Sequence, residues 1–117
     1  TIYGLYDRAF GFGLKPPFDL PQRFLERKDK LTMSTPANFV TTNDIIGGNS
    51  GSPVINKNGE IVGLIFDGNI ESLVGRYVYN IETNRAVSVH TGYMIEALRK
   101  LYDAGALADE LESKPAL

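Results

Sequence analysis

Apolar and polar residues alternate most clearly in the middle of the chain, where they predict a β-hairpin. Residues 53–56 and 60–66 are apolar or alternating runs, and Lys57, Asn58 and Gly59 lie between them. An Asn-Gly pair between two apolar runs is the strongest short-range hairpin signal, because both residues tolerate the positive φ of a tight turn. We expect two antiparallel strands joined at this turn.

Further β-type runs surround the hairpin, and they favour a mainly β fold. β-branched and aromatic residues fit strands better than helices. Segments of this kind occupy residues 1–6, 38–42, 76–81 and 86–89. We expect each of the four segments to form a strand.

Helical spacing appears near the C-terminus. Apolar residues recur there three and four positions apart, at Met94, Ile95, Leu98, Leu101 and Tyr102. This spacing predicts a helix over residues 92–104, with Gly105 as the glycine that follows its end and a further helical turn or two over residues 106–112.

A second, shorter helix is predicted near residues 21–29. Pro21 suits a first helical turn, and Lys and Arg gather toward the end of this segment, where they complement the helix dipole. Phe24 is expected to face the core.

Composition excludes several classes of protein. The 117 residues are 43% hydrophobic and 10% aromatic, which is enough to bury a core. A formal net charge of -2 gives no basic surface for nucleic acid or an anionic membrane. Cysteine is absent, so no disulfide or thiolate-bound metal is expected, and no cofactor or metal is predicted. The chain starts at Thr1 as if in the middle of a strand, so we expect a piece of a longer protein.

The loop before the hairpin is the candidate for chemistry. Residues 47–53 read GGNSGSP. A serine between Asn and Gly suits a nucleophile whose neighbours leave room for a substrate carbonyl, so Ser50 is the candidate nucleophile. The backbone amides of Gly48 and Ser50 would form the oxyanion hole. The alternative is a glycine-rich turn whose serines only cap backbone groups. The G-x-S-x-G pattern is not met, because Ser52 stands fifth, and no phosphate-binding glycine motif fits.

Four segments carry a family resemblance and together span most of the chain. They are GLYDRA, PFDLPQRFLERKDKL, TPANFVTTNDIIGGNSGSPVINKNGEIVGLIFDGNIESL and SVHTGYMIEALRKLYDAGALADEL. The GNSGSP part resembles the nucleophile segment of chymotrypsin-like serine peptidases, whose common form is Gly-Asp-Ser-Gly-Gly-Pro. The whole set resembles the S46 family of bacterial dipeptidyl peptidases more closely.

The resemblance implies a fold and an activity. Residues 1–117 are expected to be a single fragment, the second half of a chymotrypsin-like double β-barrel, with the first barrel absent. Members of the family remove dipeptides from the amino ends of peptides, in the periplasm or at the cell surface. The expected partners are a peptide with a free N-terminus, the upstream barrel of the same enzyme and a second copy that covers the exposed apolar face.

The resemblance also implies substrate-binding residues after the hairpin. Asp67 matches the acidic position that receives the free amino terminus of the peptide. Gly68 matches the position that discriminates the residue before the cut, where members preferring Asp or Glu carry arginine. Glycine leaves this pocket neutral, so a hydrophobic preference is expected, and Phe66 is taken as a further substrate-binding residue. The alternative for Asp67 is an ordinary loop acid.

Asp44 supports a different specificity. It precedes Ser50 by six residues, the spacing at which trypsin places the acid of its pocket, and this favours cleavage after Lys or Arg. Asn43 and Asp44 are also a common loop pair that bonds its own backbone. The trypsin-like endopeptidase therefore remains an alternative.

A general base for the serine is missing from the sequence. A serine nucleophile needs a histidine oriented by an acid, and in this class both come from the first barrel. His90 is the single histidine, and we interpret it as structural or exposed. The fragment is expected to be inert alone. A catalytically silent β-domain that binds extended peptides is the second function class.

Overall fold

The computed structural model describes residues 1–113, and these residues divide into two compact units. The helical unit contains the residues up to Pro36 and those from Gly92 onward, and the sheet unit contains Ala37–Thr91. The prediction of a single fragment over residues 1–117 stays a prediction, and residues 114–117 lie outside the described range.

Most of the helices belong to the helical unit. They are α1 (Ile2–Gly11), α2 (Gln22–Glu26) with a 3₁₀ turn over Lys28–Lys30, α3 (Thr91–Lys100) and α4 (Gly105–Glu112). Within residues 1–113, none of the helices has the length and apolar character needed to cross a bilayer.

The core of the helical unit joins α1, α2 and α3. The Tyr6 hydroxyl donates a hydrogen bond of 2.7 Å to the Phe24 carbonyl, so the aromatic ring is buried without leaving its polar atom unpaired. This burial raises the pKa of Tyr6. The buried residues of this core are Ile2, Tyr6, Phe24, Leu31, Ala97 and Leu101.

The predicted strand over residues 1–6 is wrong, because Thr1 is the N-cap of α1 and the other five residues form the first half of this helix. The buried residues of α1 are Ile2, Tyr6 and Ala9, which follow the i, i+4, i+7 spacing of one helix face. Burial of this face against the core outweighs the strand preference of its β-branched and aromatic residues.

The predicted helices near the C-terminus and near residues 21–29 are confirmed with changed ends. Helix α3 ends at Lys100, and Gly105 is the first residue of α4 rather than the glycine after α3. Glu96 of α3 accepts hydrogen bonds from the Thr32 amide at 2.6 Å and from Lys100 Nζ at 2.8 Å. Partial burial raises the pKa of Glu96, but these hydrogen bonds outweigh burial and lower it.

The sheet unit is built on four antiparallel strands in the order β1-β4-β3-β2. Their bounds are Asn38–Thr41 for β1, Pro53–Ile55 for β2, Ile61–Gly68 for β3 and Ala86–His90 for β4. The hairpin and the strands predicted at 38–42 and 86–89 are confirmed. The strand predicted at 76–81 is wrong, because a 3₁₀ helix over Ile70–Arg76 and irregular backbone stand there.

The expected mainly β half-barrel is therefore correct only in part. The described residues form a mixed α/β structure with one four-stranded sheet, in which β1 and β2 are the edge strands. Helix α1 forms because burial of one helix face overrides local strand propensity. Helix α3 forms where helical spacing is visible in the sequence.

One face of the sheet is closed by an aromatic ring. A Cβ added to Gly63 would lie 2.5 Å from Phe39 Cε1 and 2.5 Å from the Val89 carbonyl oxygen, so the Phe39 side chain occupies the space above this glycine. Ile65 and Ser88 pair across β3 and β4 and are buried. This packing fixes β3 between its two neighbours.

We expect Gly63→Ala to destabilise the chain by about 1–3 kcal/mol, because a methyl group there must displace both a ring and a strand backbone. The measurement is the free energy of unfolding in urea. Gly4→Ala is the control, since its added Cβ would meet nothing within 4 Å. In the helix interior of α1 this change should stabilise by about 0.5–1 kcal/mol. An unchanged unfolding midpoint for Gly63→Ala would contradict the packing described here.

Candidate active site

The loop that carries Ser50 is folded by its own asparagine. The Asn49 side-chain oxygen accepts a hydrogen bond of 2.8 Å from the Ile46 amide, and the Asn49 amide donates to the Ile46 carbonyl at 3.1 Å. Gly48 and Gly51 have φ values of 104° and 87°, in the left-handed region that glycine adopts without strain. The glycine density of the sequence is therefore a requirement of this turn.

Two hydrogen bonds tie the loop to β3. The Gly51 amide donates to the Ile65 carbonyl at 2.7 Å, and the Ile65 amide donates to the Ser52 carbonyl at 3.1 Å. Strand β2 begins directly afterwards at Pro53. Ser50 is thus held at the tip of a turn whose far end is already part of the sheet.

Two of the five amides from Gly48 to Ser52 are left unused. The amides of Asn49, Gly51 and Ser52 donate hydrogen bonds within the loop and to β3. Within residues 1–113, the amides of Gly48 and Ser50 donate none, and the exposed Ser50 hydroxyl also has no partner. One hydroxyl and two amide donors are therefore available to a bound molecule.

Ser50 shares a cleft of about 170 Å³ with the residues that end β3. Phe66, Asp67 and Gly68 line this cleft together with Ser50, whereas Gly48, the other predicted site residue of the loop, is absent from the lining. The remaining lining comes from the residues before the loop and from the 3₁₀ helix: Ile45, Ile46, Gly47, Asn49, Ile65, Ser72, Leu73 and Arg76.

A β-bulge turns Asp67 away from the face of Ile65. Ile65 pairs with Ser88 and Asp67 pairs with Val87, so Phe66 is one extra residue in β3. In a regular strand Asp67 would share the face of Ile65, because side chains alternate with period two. Asp67 is exposed, and one carboxylate oxygen accepts a hydrogen bond of 2.8 Å from the Gly68 amide. This contact holds the side chain at the end of the strand.

Gly68 lies in close contact with the 3₁₀ helix. An added Cβ would lie 2.4 Å from Ser72 Oγ, which donates a hydrogen bond of 2.6 Å to the Asn69 carbonyl. Any larger residue at this position therefore requires Ser72 to move. The Asn69 side chain accepts hydrogen bonds from the amides of Ser72 and Arg85, which fixes the turn that follows β3.

Asp44 lines a different cavity. This second cavity has a volume of about 250 Å³ and is lined by Asp44, Thr41, Pro53 and Val54 among others. Asp44 is absent from the lining of the cleft that contains Ser50. The structure therefore does not bring the Asp44 carboxylate to the cleft of the predicted nucleophile.

His90 is also remote from Ser50. It ends β4, and its ring meets the Phe39 ring edge-on with centroids 5.7 Å apart. Strand β3 lies between β4 and β2. Neighbouring strands are about 4.8 Å apart, so about 10 Å of sheet separates β4 from the strand into which Ser50 leads. His90 is not positioned to take a proton from Ser50, which needs a heavy-atom distance of about 3 Å.

Arg76, Ser72 and Leu73 are cleft residues that sequence reasoning missed. Ser72 and Leu73 lie between the predicted strands, and Arg76 is the first residue of the strand predicted at 76–81. No local signal in the sequence points to the cleft for these three. As for metals, the part of the chain that the structure describes contains no group of three or more His, Cys, Asp or Glu side chains that could hold an ion.

A sequence model of the Peptidase S46 family matches residues 1–113. The chain belongs to the peptidase S46 family. Two dipeptidyl-peptidase 7 proteins are among its relatives. The one from Phocaeicola vulgatus is 50% identical over 76 residues, which cover 65% of this chain and 10% of the relative. The one from Capnocytophaga gingivalis is 36% identical over 102 residues, which cover 80% of this chain and 14% of the relative.

Other S46 relatives differ in their stated specificity. An Asp/Glu-specific dipeptidyl-peptidase from Shewanella putrefaciens is 42% identical over 79 residues, covering 68% of this chain and 11% of the relative. The crystal structure of Porphyromonas endodontalis DPP11 in complex with the dipeptide Arg-Asp matches 97% of this chain and 17% of its own, with a TM-score of 0.82 and 25% identity. The S46 chain thus spans roughly a tenth to a sixth of the proteins it matches.

We expect Asn49→Ala to destabilise this S46 chain by about 1 kcal/mol, because the Ile46 amide loses its acceptor and the turn loses its closing bond. Asn49→Asp is the matched variant, since a carboxylate oxygen can replace the amide oxygen and should retain most of the stability. The measurement is urea unfolding of the three proteins. Equal losses for Ala and Asp would show that the side-chain hydrogen bond does not hold the loop.

Proposed function

We propose that this chain is the nucleophile-bearing part of a serine-type dipeptidyl peptidase. The observation that carries the proposal is the pattern of amide use in the loop, where the Gly48 and Ser50 amides alone remain free between Gly48 and Ser52. An oxyanion hole is built from backbone amides that have no partner in the free protein, and these two amides meet that condition. The relatives reported above are named as dipeptidyl peptidases, and these names support the substrate class.

The proposed reaction is acyl transfer through Ser50. Its Oγ attacks the carbonyl carbon of the second peptide bond, and the oxygen that becomes negative accepts hydrogen bonds from the Gly48 and Ser50 amides. Collapse of this intermediate expels the amine of the shortened peptide and leaves the dipeptide as an ester on Ser50. Water then hydrolyses the ester. A histidine outside this chain takes the Ser50 proton and then gives it to the leaving amine, and an acid orients that histidine, since His90 is not positioned for this role.

Asp67 is the proposed site for the substrate ammonium. It is exposed in the cleft of Ser50, and one of its oxygens is fixed by the Gly68 amide. A carboxylate in this position pairs with a free amino terminus and leaves acetylated or internal peptide segments without that contact. An exopeptidase needs such a contact, because binding of the amino terminus fixes which peptide bond lies at the nucleophile.

The proposed preference before the cut is for hydrophobic side chains. Gly68 adds no charge to the cleft, and Phe66, Ile65 and Leu73 give it apolar walls. Asp44 lines another cavity, so the structure supplies no support for the Lys/Arg-directed alternative. Because some relatives are named as Asp/Glu-specific, we attribute the preference to individual residues of the cleft rather than to the fold.

The remaining parts of the proposal concern the whole protein. We propose a periplasmic or cell-surface enzyme whose upstream barrel supplies the missing triad residues, so the chain alone is inert. The segment after β3 presents large exposed apolar residues, of which Tyr77 is 88% and Ile70 is 76% exposed. Such a surface is suited to cover by another part of the enzyme or by a second copy. A silent peptide-binding domain remains the competing function.

We expect a fluorophosphonate reagent to acylate Ser50 in the intact protein, because this hydroxyl has two free amide donors beside it. Peptide mapping by mass spectrometry identifies the labelled residue. Ser52 is the internal control, since its amide is already bonded to the Asn49 carbonyl at 2.9 Å. The chain of 117 residues should label far more slowly than the intact protein. Labelling at Ser52, or activity without any labelled serine, would contradict the assignment.

We expect Asp67→Asn to lower kcat/KM on dipeptidyl substrates by about 30-fold or more, because the ammonium loses its charged partner. Acetylating the substrate amine should cause a comparable loss in the parent enzyme and little further loss in the variant, since both changes remove the same contact. Asp44→Asn is the control, with expected activity near the parent. Reactivity of Ser50 toward the fluorophosphonate should persist. Fully additive losses would mean that the amine is bound elsewhere.

A further inference from the structure

Arg76 reaches the nucleophile loop from the end of the 3₁₀ helix. It is the last residue of Ile70–Arg76, and its Nη2 atom lies 3.9 Å from the place where a Cβ on Gly47 would stand. Gly47 precedes Ser50 by three residues and lines the same cleft. The guanidinium therefore lies against the backbone of the loop that carries the proposed nucleophile.

The Arg76 guanidinium lacks the partners that the other arginines have. Within residues 1–113 it forms no hydrogen bond, ion pair or ring contact, although Arg is usually placed where its planar group is paired. The other five are paired with carboxylates, backbone carbonyls or aromatic rings: Arg8 over Phe12, Arg23 with Leu101 and Tyr102, Arg27 with Asp103, Arg85 with Ile81 and Arg99 with Asp109.

The cleft thus contains two opposite charges that do not pair with each other. Asp67 and Arg76 are the charged side chains of its lining, and no ion pair joins them among the described residues. One Asp67 oxygen is bound by the Gly68 amide at 2.8 Å instead. If Asp67 takes the substrate ammonium, Arg76 remains available to a second, negatively charged group of the same molecule.

In a peptide substrate that negative group is a side chain. The terminal carboxylate of a peptide is remote from a bond near its amino end, so a carboxylate near Ser50 belongs to Asp or Glu beside the cleaved bond. Leu73 and Ile65 line the cleft and suit the methylene groups of such a side chain. Gly68 cannot supply the positive charge, and a larger residue there would require Ser72 to move.

We infer that Arg76 is a specificity-determining residue that binds the carboxylate of an acidic side chain on the residue before the cleaved bond. The inference rests on the proposed dipeptidyl peptidase function, and it adds acidic substrates to the apolar ones that Gly68 favours. Arg76 can bind a carboxylate through two parallel N–H donors. A neutral side chain of the same shape forms weaker hydrogen bonds with the guanidinium, because it carries no negative charge.

The experiment compares dipeptidyl substrates that end in Glu, Gln and Leu, hydrolysed by the intact protein. Glu and Gln have nearly the same shape and differ in charge, so the ratio of their kcat/KM values isolates the contribution of the carboxylate. Arg76→Met should lower the Glu/Gln ratio about tenfold and leave hydrolysis of the Leu substrate within about twofold. Arg76→Lys should retain part of the ratio, because the charge remains and the second donor is lost.

Lys57→Met is the matched control. It removes one positive charge from the turn between β2 and β3, and Lys57 does not line the cleft. Its Glu/Gln ratio should equal that of the parent. Arg76→Glu should reverse the preference and raise hydrolysis of a Lys substrate above the parent value, as charge complementarity requires.

The outcomes separate this inference from the proposed function. Hydrolysis of the Leu substrate with an unchanged Glu/Gln ratio in Arg76→Met would overturn the assignment of Arg76 alone. A parent enzyme that hydrolyses none of the dipeptidyl substrates would overturn the proposed function and the role of Arg76 together. Because the Leu substrate reports folding in every variant, a lowered ratio cannot be caused by misfolding.

Discussion

The candidate site depends on Ile65 of β3, whose backbone amide and backbone carbonyl both form hydrogen bonds to the end of the loop that carries Ser50. The Ile65 carbonyl accepts from the Gly51 amide and the Ile65 amide donates to the Ser52 carbonyl, so these two hydrogen bonds must break before the end of the Ser50 loop can leave β3. The Ile65 side chain is 5% exposed, and its position is therefore fixed by the core as well. The next residue, Phe66, forms the bulge that turns the Asp67 side chain away from the face of Ile65. The separation between the proposed nucleophile and the proposed ammonium site is consequently set by core packing rather than by flexible loops, as a preorganised site requires.

Local sequence signals predicted the parts of the fold that local forces determine. The Asn-Gly turn and the alternating runs on either side of it gave the hairpin, because turn conformation and strand pairing act over a few residues. The errors fall at residues 1–6 and 76–81, where β-type residues form helical or irregular backbone. In α1 the burial of Ile2, Tyr6 and Ala9 against distant residues decides the conformation. After β3, Asn69 decides it through hydrogen bonds that span 14 and 16 residues.

The site was predictable to the extent that its residues are near in sequence. Ser50, Asp67 and Gly68 flank one hairpin, so a hairpin prediction already brings them to one end of the sheet, while their roles stay predictions. The bulge at Phe66 could not be predicted, because a single extra residue leaves no mark in an apolar run. Arg76 could not be predicted either, since its approach to Gly47 depends on the turn that Asn69 holds and on the absence of a strand over residues 76–81.

The separation of Asp67 from Arg76 is a condition for selective binding. Had the two side chains formed an ion pair, a substrate would have to break it before either group could bind a charge of the ligand, and the gain on binding would shrink accordingly. Asp67 instead accepts from the Gly68 amide, and Arg76 lies against Gly47. In the proposed enzyme, a peptide with a free ammonium and a nearby carboxylate would satisfy both groups at once. Under the proposed role of Arg76, a peptide with lysine before the cut would leave the guanidinium unpaired beside a like charge, so an arrangement that attracts acidic substrates would reject basic ones.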